Sequence, residues 1–221
     1  MDIAEKALRL KQDFDDVKAA GYLEGEGKGY SLGYVNGNEQ GRTDEWHEFW
    51  DNLQQNGERS QYAYAFSYTG WNDKIFNPKY HITPTNGNGM QNMFIWNQQI
   101  TNTKVPITAF GSAQNAFYAC NRLVTIPKLI FNGTTNVNGM FYNCTKLTNL
   151  TCEGELAING LDLSACTRLT PESLMSVINC LAPTSTTLTA NFGTPNLDKL
   201  KETDEGLAAI AAATEKGWTL A

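Results

Sequence analysis

Three stretches of the sequence decide the predicted fold: AFYACNRLVTIPKL (116–129), MFYNCTKLTNLTCE (140–153) and LDLSACTRLTPESL (161–174). Their cysteines are 24 and then 22 residues apart, and their leucines align with the same offsets. A more degenerate copy, NMFIWNQQITNTKVPI (92–107), places a phenylalanine about one period earlier. A fixed spacing in the twenties is typical of stacked supersecondary units, so the pattern predicts a solenoid.

Each repeat carries an apolar row that it cannot bury alone, so we expect neighbouring repeats to stack equivalent residues into one core. The chain has five cysteines, an odd number with no CxxC pair. This pattern favours small, buried, reduced thiols over disulfides or a zinc site. The predicted structural rungs are Phe94, Phe117 and Phe141; Cys120, Cys144 and Cys166; and Leu123, Leu147 and Leu169.

The order F-x-x-C-x-x-L-x-x-I-P in AFYACNRLVTIP, together with NVNGMFYNCTKLTNL (136–150), resembles the BspA-like leucine-rich repeats of bacterial surface and phage proteins. The resemblance covers roughly residues 90–175. It implies a short strand-and-turn solenoid whose faces bind other macromolecules, and it does not imply catalysis. The copies are few and the first lacks both the cysteine and the leucine, which implies a small binding surface.

The residues after the repeats are expected to form a cap, because terminal repeats of solenoids are atypical. Thr170-Pro171-Glu172 predicts the start of an amphipathic helix, TTLTANF (186–192) predicts a strand, and the apolar residues of 197–213 predict helix. The whole tail, from LTPESLMSVINCLAP to EKGWTLA, resembles the ends of tail-associated proteins in phages and prophages of gut bacteria.

The N-terminal segment carries a different periodicity, which predicts an oligomerising helix. Its first part follows the 4, 3 alternation of a coiled-coil seam, and glycines then recur every fourth residue. Each glycine costs a helix about 1 kcal/mol relative to alanine, so close approach of a partner helix has to compensate. A flexible glycine-rich linker is the alternative. The predicted oligomerisation residues are Ile3, Ala7, Leu10, Phe14, Val17, Gly21, Gly25, Gly29, Gly33, Gly37 and Gly41.

The predicted fold class is therefore α+β: an N-terminal helical oligomerisation segment, then a short leucine-rich-repeat-like β-solenoid with an α/β C-terminal cap. The first segment ends with a second predicted helix, whose apolar face consists of Trp46, Phe49, Trp50 and Leu53. An alternating strand at 62–68 follows. The predicted domains are the helical segment (1–57), a strand and loop entry (58–91), the repeats (92–170) and the capping region (171–221).

The sequence offers little catalytic or metal-binding chemistry. Its two histidines, His47 and His81, have no motif around them, and the chain has no H-E-x-x-H, phosphate loop or EF-hand pattern. We therefore predict no enzyme, no cofactor and no metal. The net charge of −6 without a cationic cluster makes nucleic acid an unfavourable partner, and no apolar stretch approaches the ~20 residues of a membrane span. We also expect a soluble chain without a secretory leader, made in a cytosol.

These observations predict a structural and receptor-binding protein of a phage tail, located in the virion after assembly in the host cytoplasm. The expected partners are further copies of the chain, other virion proteins, and a host-surface protein or glycan. A bacterial cell-surface or secreted BspA-like adhesin is the alternative, and an enzyme is a third reading. The candidate contact residues flank the rungs, where ordinary repeat surface is the alternative interpretation: Tyr118, Asn121, Arg122, Tyr142, Asn143 and Lys146.

Overall fold

A computed structural model of the chain describes residues 73, 78, 81–84 and 89–221. All of them belong to one compact unit, Arg59–Ala221. The predicted helix around Trp46 and the predicted strand at 62–68 lie outside the described residues. So do the predicted oligomerisation residues: Ile3, Ala7, Leu10, Phe14, Val17, Gly21, Gly25, Gly29, Gly33, Gly37 and Gly41.

The first half of the described chain forms a parallel sheet of three strands in the order β1-β2-β3. The strands are β1 (Ile107–Ser112), β2 (Thr125–Asn136) and β3 (Asn149–Gly154). In register, Ile107 of β1 is opposite Leu129 of β2, and Ile126 of β2 is opposite Leu150 of β3. Parallel strands need crossover connections of about a dozen residues. Here the connections, 113–124 and 137–148, consist of turns instead of helices.

The second half contains three helices and a small second sheet. The helices are α1 (Pro171–Asn179), α2 (Thr194–Lys201) and α3 (Asp204–Glu215). Strands β4 (Leu188–Ala190) and β5 (Trp218–Leu220) pair in parallel. The indole of Trp218 is buried and its Nε1 donates a hydrogen bond to the Ala182 carbonyl at 2.8 Å, which fixes the C-terminal strand onto the body of the unit.

Helix α1 begins where its sequence predicts and covers the free edge of β3. The Thr170 side chain accepts a hydrogen bond from the Ser173 amide, and Pro171 occupies the first helical turn. The Ser173 and Ser176 hydroxyls accept the amide protons of Leu150 and Cys152 at 3.0 and 2.7 Å. An uncovered strand edge is a template for unwanted pairing with another strand. The two serines prevent this by accepting hydrogen bonds from the amide groups at the edge of β3.

The predicted fold class is wrong. The described residues form a mixed α/β structure with three helices and a small parallel sheet of three strands, and no solenoid is found among them. The strands have unequal lengths of 6, 12 and 6 residues, and β2 pairs with both neighbours through register shifts. After β3 the sheet ends, because α1 takes the place beside it. The sequence period therefore reflects contacts between a few neighbouring segments and does not extend into a repeating architecture.

Candidate functional site

Three successive turns share the same backbone conformation. The first precedes β1, the second connects β1 to β2, and the third connects β2 to β3. Each turn has two residues with positive φ, four positions apart, at φ values between 53° and 65°. The pairs are Asn92 and Trp96, Asn115 and Ala119, and Gly139 and Asn143. At Gly139 the requirement is also steric, because a Cβ there would collide with the Asn115 amide oxygen. The left-handed conformation is unusual for Trp96, which has a bulky side chain.

The predicted rung residues of these turns and of the next turn, which contains Cys166 and Leu169, are all buried. The Phe117 ring lies between two others, with centroids 5.2 Å from Phe94 and 5.7 Å from Phe141 and nearly parallel planes. Offset parallel packing is a favourable arrangement of aromatic rings. The structure thus brings the three phenylalanines into one stack.

The three cysteine thiols of the turns each donate a hydrogen bond to the carbonyl of a phenylalanine in the preceding turn. The sulfur–oxygen distances are 3.1 Å for Cys120 and Phe94, 3.0 Å for Cys144 and Phe117, and 3.7 Å for Cys166 and Phe141. Burial raises the pKa of the Cys120 and Cys144 thiols well above the ordinary value and raises the pKa of Cys166 to about 12. These thiols are protonated and unreactive at neutral pH.

Asn97 and Ile100 take the cysteine and leucine positions in the first turn, where the sequence repeat is degenerate. Both are fully buried. The Asn97 side-chain oxygen accepts the amide protons of Gln99 and Ile100 at 3.1 and 3.2 Å, so a polar side chain is satisfied within the turn. The N-x-x-I spacing is the signal that sequence analysis overlooked.

On the outside of the turns, three large aromatic side chains form a second row, which we call the aromatic row: Trp96, Tyr118 and Tyr142. The Trp96 and Tyr118 ring centroids are 5.8 Å apart at 53°, and those of Tyr118 and Tyr142 are 4.6 Å apart at 18°. Trp96 is 43% exposed and Tyr142 is 56% exposed. Tyr118 and Tyr142 were both predicted contact residues, whereas Trp96 was missed.

The aromatic row ends at Tyr142. In the next turn Cys166 takes the place of Cys144, so by the same count Ser164 takes the place of Tyr142. The Ser164 amide and hydroxyl both donate to Asp162 Oδ1, at 2.9 and 2.6 Å. Within the described part of the chain, the Tyr142 ring contacts one other ring, that of Tyr118. Among the residues that the structure describes, one face of the tyrosine therefore has no aromatic partner.

Four exposed residues form a third row, which we call the basic row: Gln99, Arg122, Lys146 and Arg168. Each lies two residues after Asn97 or a rung cysteine, so they occupy equivalent positions in successive turns. Arg122 Nη1 lies 3.5 Å from Gln99 Oε1. The ion pairs of the described residues are Lys128–Glu153 and Lys201–Asp198, and neither includes a member of this row. Arg122 and Lys146 were predicted contact residues, whereas Arg168 was missed.

The two remaining predicted contact residues lie beside these rows. Asn121 is half-buried and immediately precedes Arg122. Asn143 is exposed, has a φ of 59°, and directly follows Tyr142. Asparagine tolerates this left-handed conformation better than most residues. Of the six predicted contact residues, Arg122, Tyr142, Asn143 and Lys146 are exposed, and Tyr118 and Asn121 are half-buried.

Of the two histidines, His47 lies outside the described residues, and His81 Nε2 is 2.8 Å from the Thr108 hydroxyl. Within 89–221 and the few earlier described positions, no group of three His, Cys, Asp or Glu side chains could hold a metal ion. In the same residues, no helix has the length and apolar character needed to cross a membrane.

Comparison of the chain with protein-family models, with curated proteins and with solved structures finds no match. The aromatic row and the basic row are the most distinctive exposed features of the described residues.

Proposed function

We propose that the protein is a phage tail-associated structural and receptor-binding protein that attaches through the aromatic row. The observation that carries the proposal is the exposure of Tyr142, which leaves 56% of the residue in solvent while its ring stacks on Tyr118. Large aromatic residues dominate the energy of recognition surfaces. A row of three on one surface is more than the scattered apolar side chains that soluble proteins ordinarily expose.

The stacking also supports a binding role because it orders the rings before a ligand arrives. Tyr118 is held between Trp96 and Tyr142, so none of the three rings is a freely rotating surface side chain. Ordering a side chain on binding costs about 0.5–1.5 kcal/mol, and a preformed row avoids part of that cost.

In this proposal the N-terminal segment joins copies of the chain, through the seam that starts at Ile3 and the glycine series that ends at Gly41. Several copies would present several aromatic rows together, and multivalency would turn weak contacts into firm attachment. The partners are other virion proteins on one side and a host-surface protein or glycan on the other. The resemblance to BspA-like repeats and to phage tail-associated proteins supports this role, which includes no catalytic step.

Attachment is tested with the labelled full chain and a panel of gut bacterial cells, the hosts of the phages that the sequence resembles. We expect Tyr142→Ala to lower the bound fraction by about tenfold, as loss of one hot-spot side chain would. Leu207→Ala is the matched control, because Leu207 is a large apolar residue that is 48% exposed on α3. Equal binding by the wild type, Tyr142→Ala and Trp96→Ala would contradict the proposal.

Self-association is tested separately by light scattering of the full chain and of a triple variant with Gly25, Gly29 and Gly33 replaced by leucine. The wild type is expected to be a defined oligomer, and the variant to have a lower mass because its helices cannot approach closely. A wild-type monomer would contradict the oligomeric part of the proposal.

A bacterial cell-surface adhesin is the alternative function, and the same resemblance favours it because BspA-like repeats also occur in bacterial surface proteins. The two functions use the same aromatic row and differ in location. After prophage induction, co-sedimentation of the protein with virions is expected for the tail protein. Retention in the cell envelope would favour the adhesin.

A further inference from the structure

The basic row concentrates positive charge on a protein whose overall charge is negative. The chain has 23 acidic and 17 basic side chains, yet Arg122, Lys146 and Arg168 recur at equivalent positions of successive turns. Neighbouring strands lie about 4.8 Å apart, so cations repeated once per turn recur within a Debye length of one another. Their mutual repulsion opposes folding, and the described ion pairs do not relieve it.

A fourth cation lies at the end of the row. Lys199 Nζ donates to the Thr167 and Leu169 carbonyls at 2.6 and 2.9 Å, on either side of Arg168 in the sequence. Asp162, the acidic residue of this turn, accepts hydrogen bonds from Ser164 and Asn191. The described ion pairs therefore leave Arg168 without a carboxylate partner, as they do Arg122 and Lys146.

We propose that the basic row binds a linear anionic polysaccharide, an inference that rests on the proposed attachment function and names its ligand class. Regularly spaced cations match a polymer that carries carboxylate, sulfate or phosphate groups at regular intervals. Arginine forms paired hydrogen bonds with each of these groups, and lysine supplies a point charge. Arg122 and Arg168 would hold two anionic groups, with Lys146 between them.

The aromatic row supplies the second half of the recognition. In two of the turns an aromatic residue lies four residues before a cation, since Tyr118 precedes Arg122 and Tyr142 precedes Lys146. The free face of Tyr142 can pack against the C–H face of a sugar ring, since an aromatic face carries partial negative charge. A glycan presents apolar ring faces and anionic substituents together, which is the combination that the two rows complement.

Single-stranded nucleic acid also combines anions with flat rings, but the aromatic row suits it poorly. Tyr118 has a neighbouring ring on each side, tilted Trp96 and stacked Tyr142, so the row offers few open ring faces on which successive bases could stack. The polysaccharide is therefore the ligand that the arrangement of the rings favours.

The test measures binding of the immobilised full chain to four probes: polygalacturonate, dextran sulfate, uncharged dextran and a thymidine oligonucleotide. We expect the anionic polysaccharides to bind, with affinity that falls as salt rises, and dextran to bind weakly. Preference between polygalacturonate and dextran sulfate identifies the anionic group. Stronger binding of the oligonucleotide than of both anionic polysaccharides, or equal binding of dextran, would overturn the inference.

Single substitutions separate the basic row from overall charge. Arg122→Gln, Lys146→Gln and Arg168→Gln are each expected to weaken polygalacturonate or dextran sulfate binding by about three- to tenfold. Lys201→Gln is the matched control, because Lys201 is an exposed cation at the end of α2, outside the basic row, and its loss makes the same charge change. This variant should leave the affinity unchanged. Equal effects of all four substitutions would show that only net charge matters and would overturn the inference.

Cell attachment distinguishes failure of this inference from failure of the proposed function. If Tyr142→Ala abolishes attachment while the three basic-row variants attach normally, the attachment function stands and the anionic ligand is overturned. Loss of attachment in both sets of variants supports both. Normal attachment in both sets overturns both.

Discussion

The Ser173 hydroxyl takes the place of a missing fourth strand by accepting the amide proton of Leu150 at 3.0 Å. The same oxygen donates to the Thr148 carbonyl at 3.3 Å, so one side chain satisfies a donor and an acceptor at the edge of β3. Both Leu150 and Ser173 are buried. A helix can cover a sheet edge in this way only if its side chains supply the hydrogen bonds that the strand lacks.

Ser173→Ala is expected to lower the free energy of unfolding by about 1–3 kcal/mol, because the buried Leu150 amide loses its acceptor. Urea denaturation followed by circular dichroism measures the change. Ser185→Ala is the control, because Ser185 is exposed and its substitution should change stability by about 0.5 kcal/mol at most. A Ser173→Ala variant as stable as Ser185→Ala would mean that water or a shifted backbone replaces the hydroxyl.

Phe117 is expected to tolerate truncation less well than Phe141, although both rings are buried. Phe117 stacks on two rings, and Phe141 stacks on Phe117. Each aromatic pair contributes about 0.5–1.5 kcal/mol beyond area burial. Phe117→Leu should therefore be less stable than Phe141→Leu by about that amount in parallel urea titrations. Equal losses would show that burial alone, and not ring stacking, determines the contribution.

The Cys166 thiol makes stability depend on pH in the alkaline range. Burial raises its pKa in the folded protein to about 12, whereas the pKa of a thiol in the unfolded chain is about 8.5. Above pH ~8.5 the unfolded state binds fewer protons than the folded state, so the free energy of unfolding falls as pH rises toward 12.

Cys166→Ala isolates this effect, because alanine does not titrate. The variant is expected to be less stable than the wild type at pH 7.5, since it loses buried packing and the hydrogen bond to the Phe141 carbonyl. The difference should shrink by up to about 1.4 kcal/mol per pH unit above pH ~8.5. A difference that stays constant up to pH 10 would contradict the raised pKa.

The sequence was sufficient to identify which residues meet inside the turns. The residues equivalent to Phe117, Cys144 and Leu147 in neighbouring turns lie 22–24 positions away. Positions that are buried at such regular intervals select similar residue types, so the sequence shows them directly. The spacing could not reveal how far the array extends. That depends on α1, whose serines replace strand pairing at the edge of β3, and serine at these positions carries no period.

The exposed rows were harder to predict because exposed positions are less constrained by packing. Aligning the turns by sequence places Ile95, and not Trp96, opposite Tyr118. In the structure the Trp96 indole nevertheless contacts the Tyr118 ring, and Trp96 has a left-handed backbone that its residue type does not predict. Arg168 could have been found, because a cation follows each of Cys120, Cys144 and Cys166 by two residues.

Asn196 connects α2 to the last turn through a fully buried amide. Its Nδ2 donates to the carbonyls of Phe192, Leu163 and Cys166 at 2.9, 3.1 and 3.4 Å. Asn196→Asp keeps the shape but turns a carboxylate oxygen toward these carbonyls. We expect the free energy of unfolding to fall by about 3 kcal/mol or more at neutral pH. The buried carboxylate would then face carbonyl oxygens that have lost their hydrogen-bond donor.

The pH dependence of this variant separates charge from packing. A proton on the introduced carboxyl restores a donor, so its pKa in the folded state should be raised above the unfolded value of about 3.9. Stability relative to the wild type should then recover as pH falls from 7 toward 4, because the folded state binds the proton first. Asn196→Ala is the control, since its deficit has no titrating group and should not change with pH. Parallel deficits of the two variants across this range would mean that the Lys199 ammonium, 3.3 Å from Asn196 Oδ1, neutralises the carboxylate.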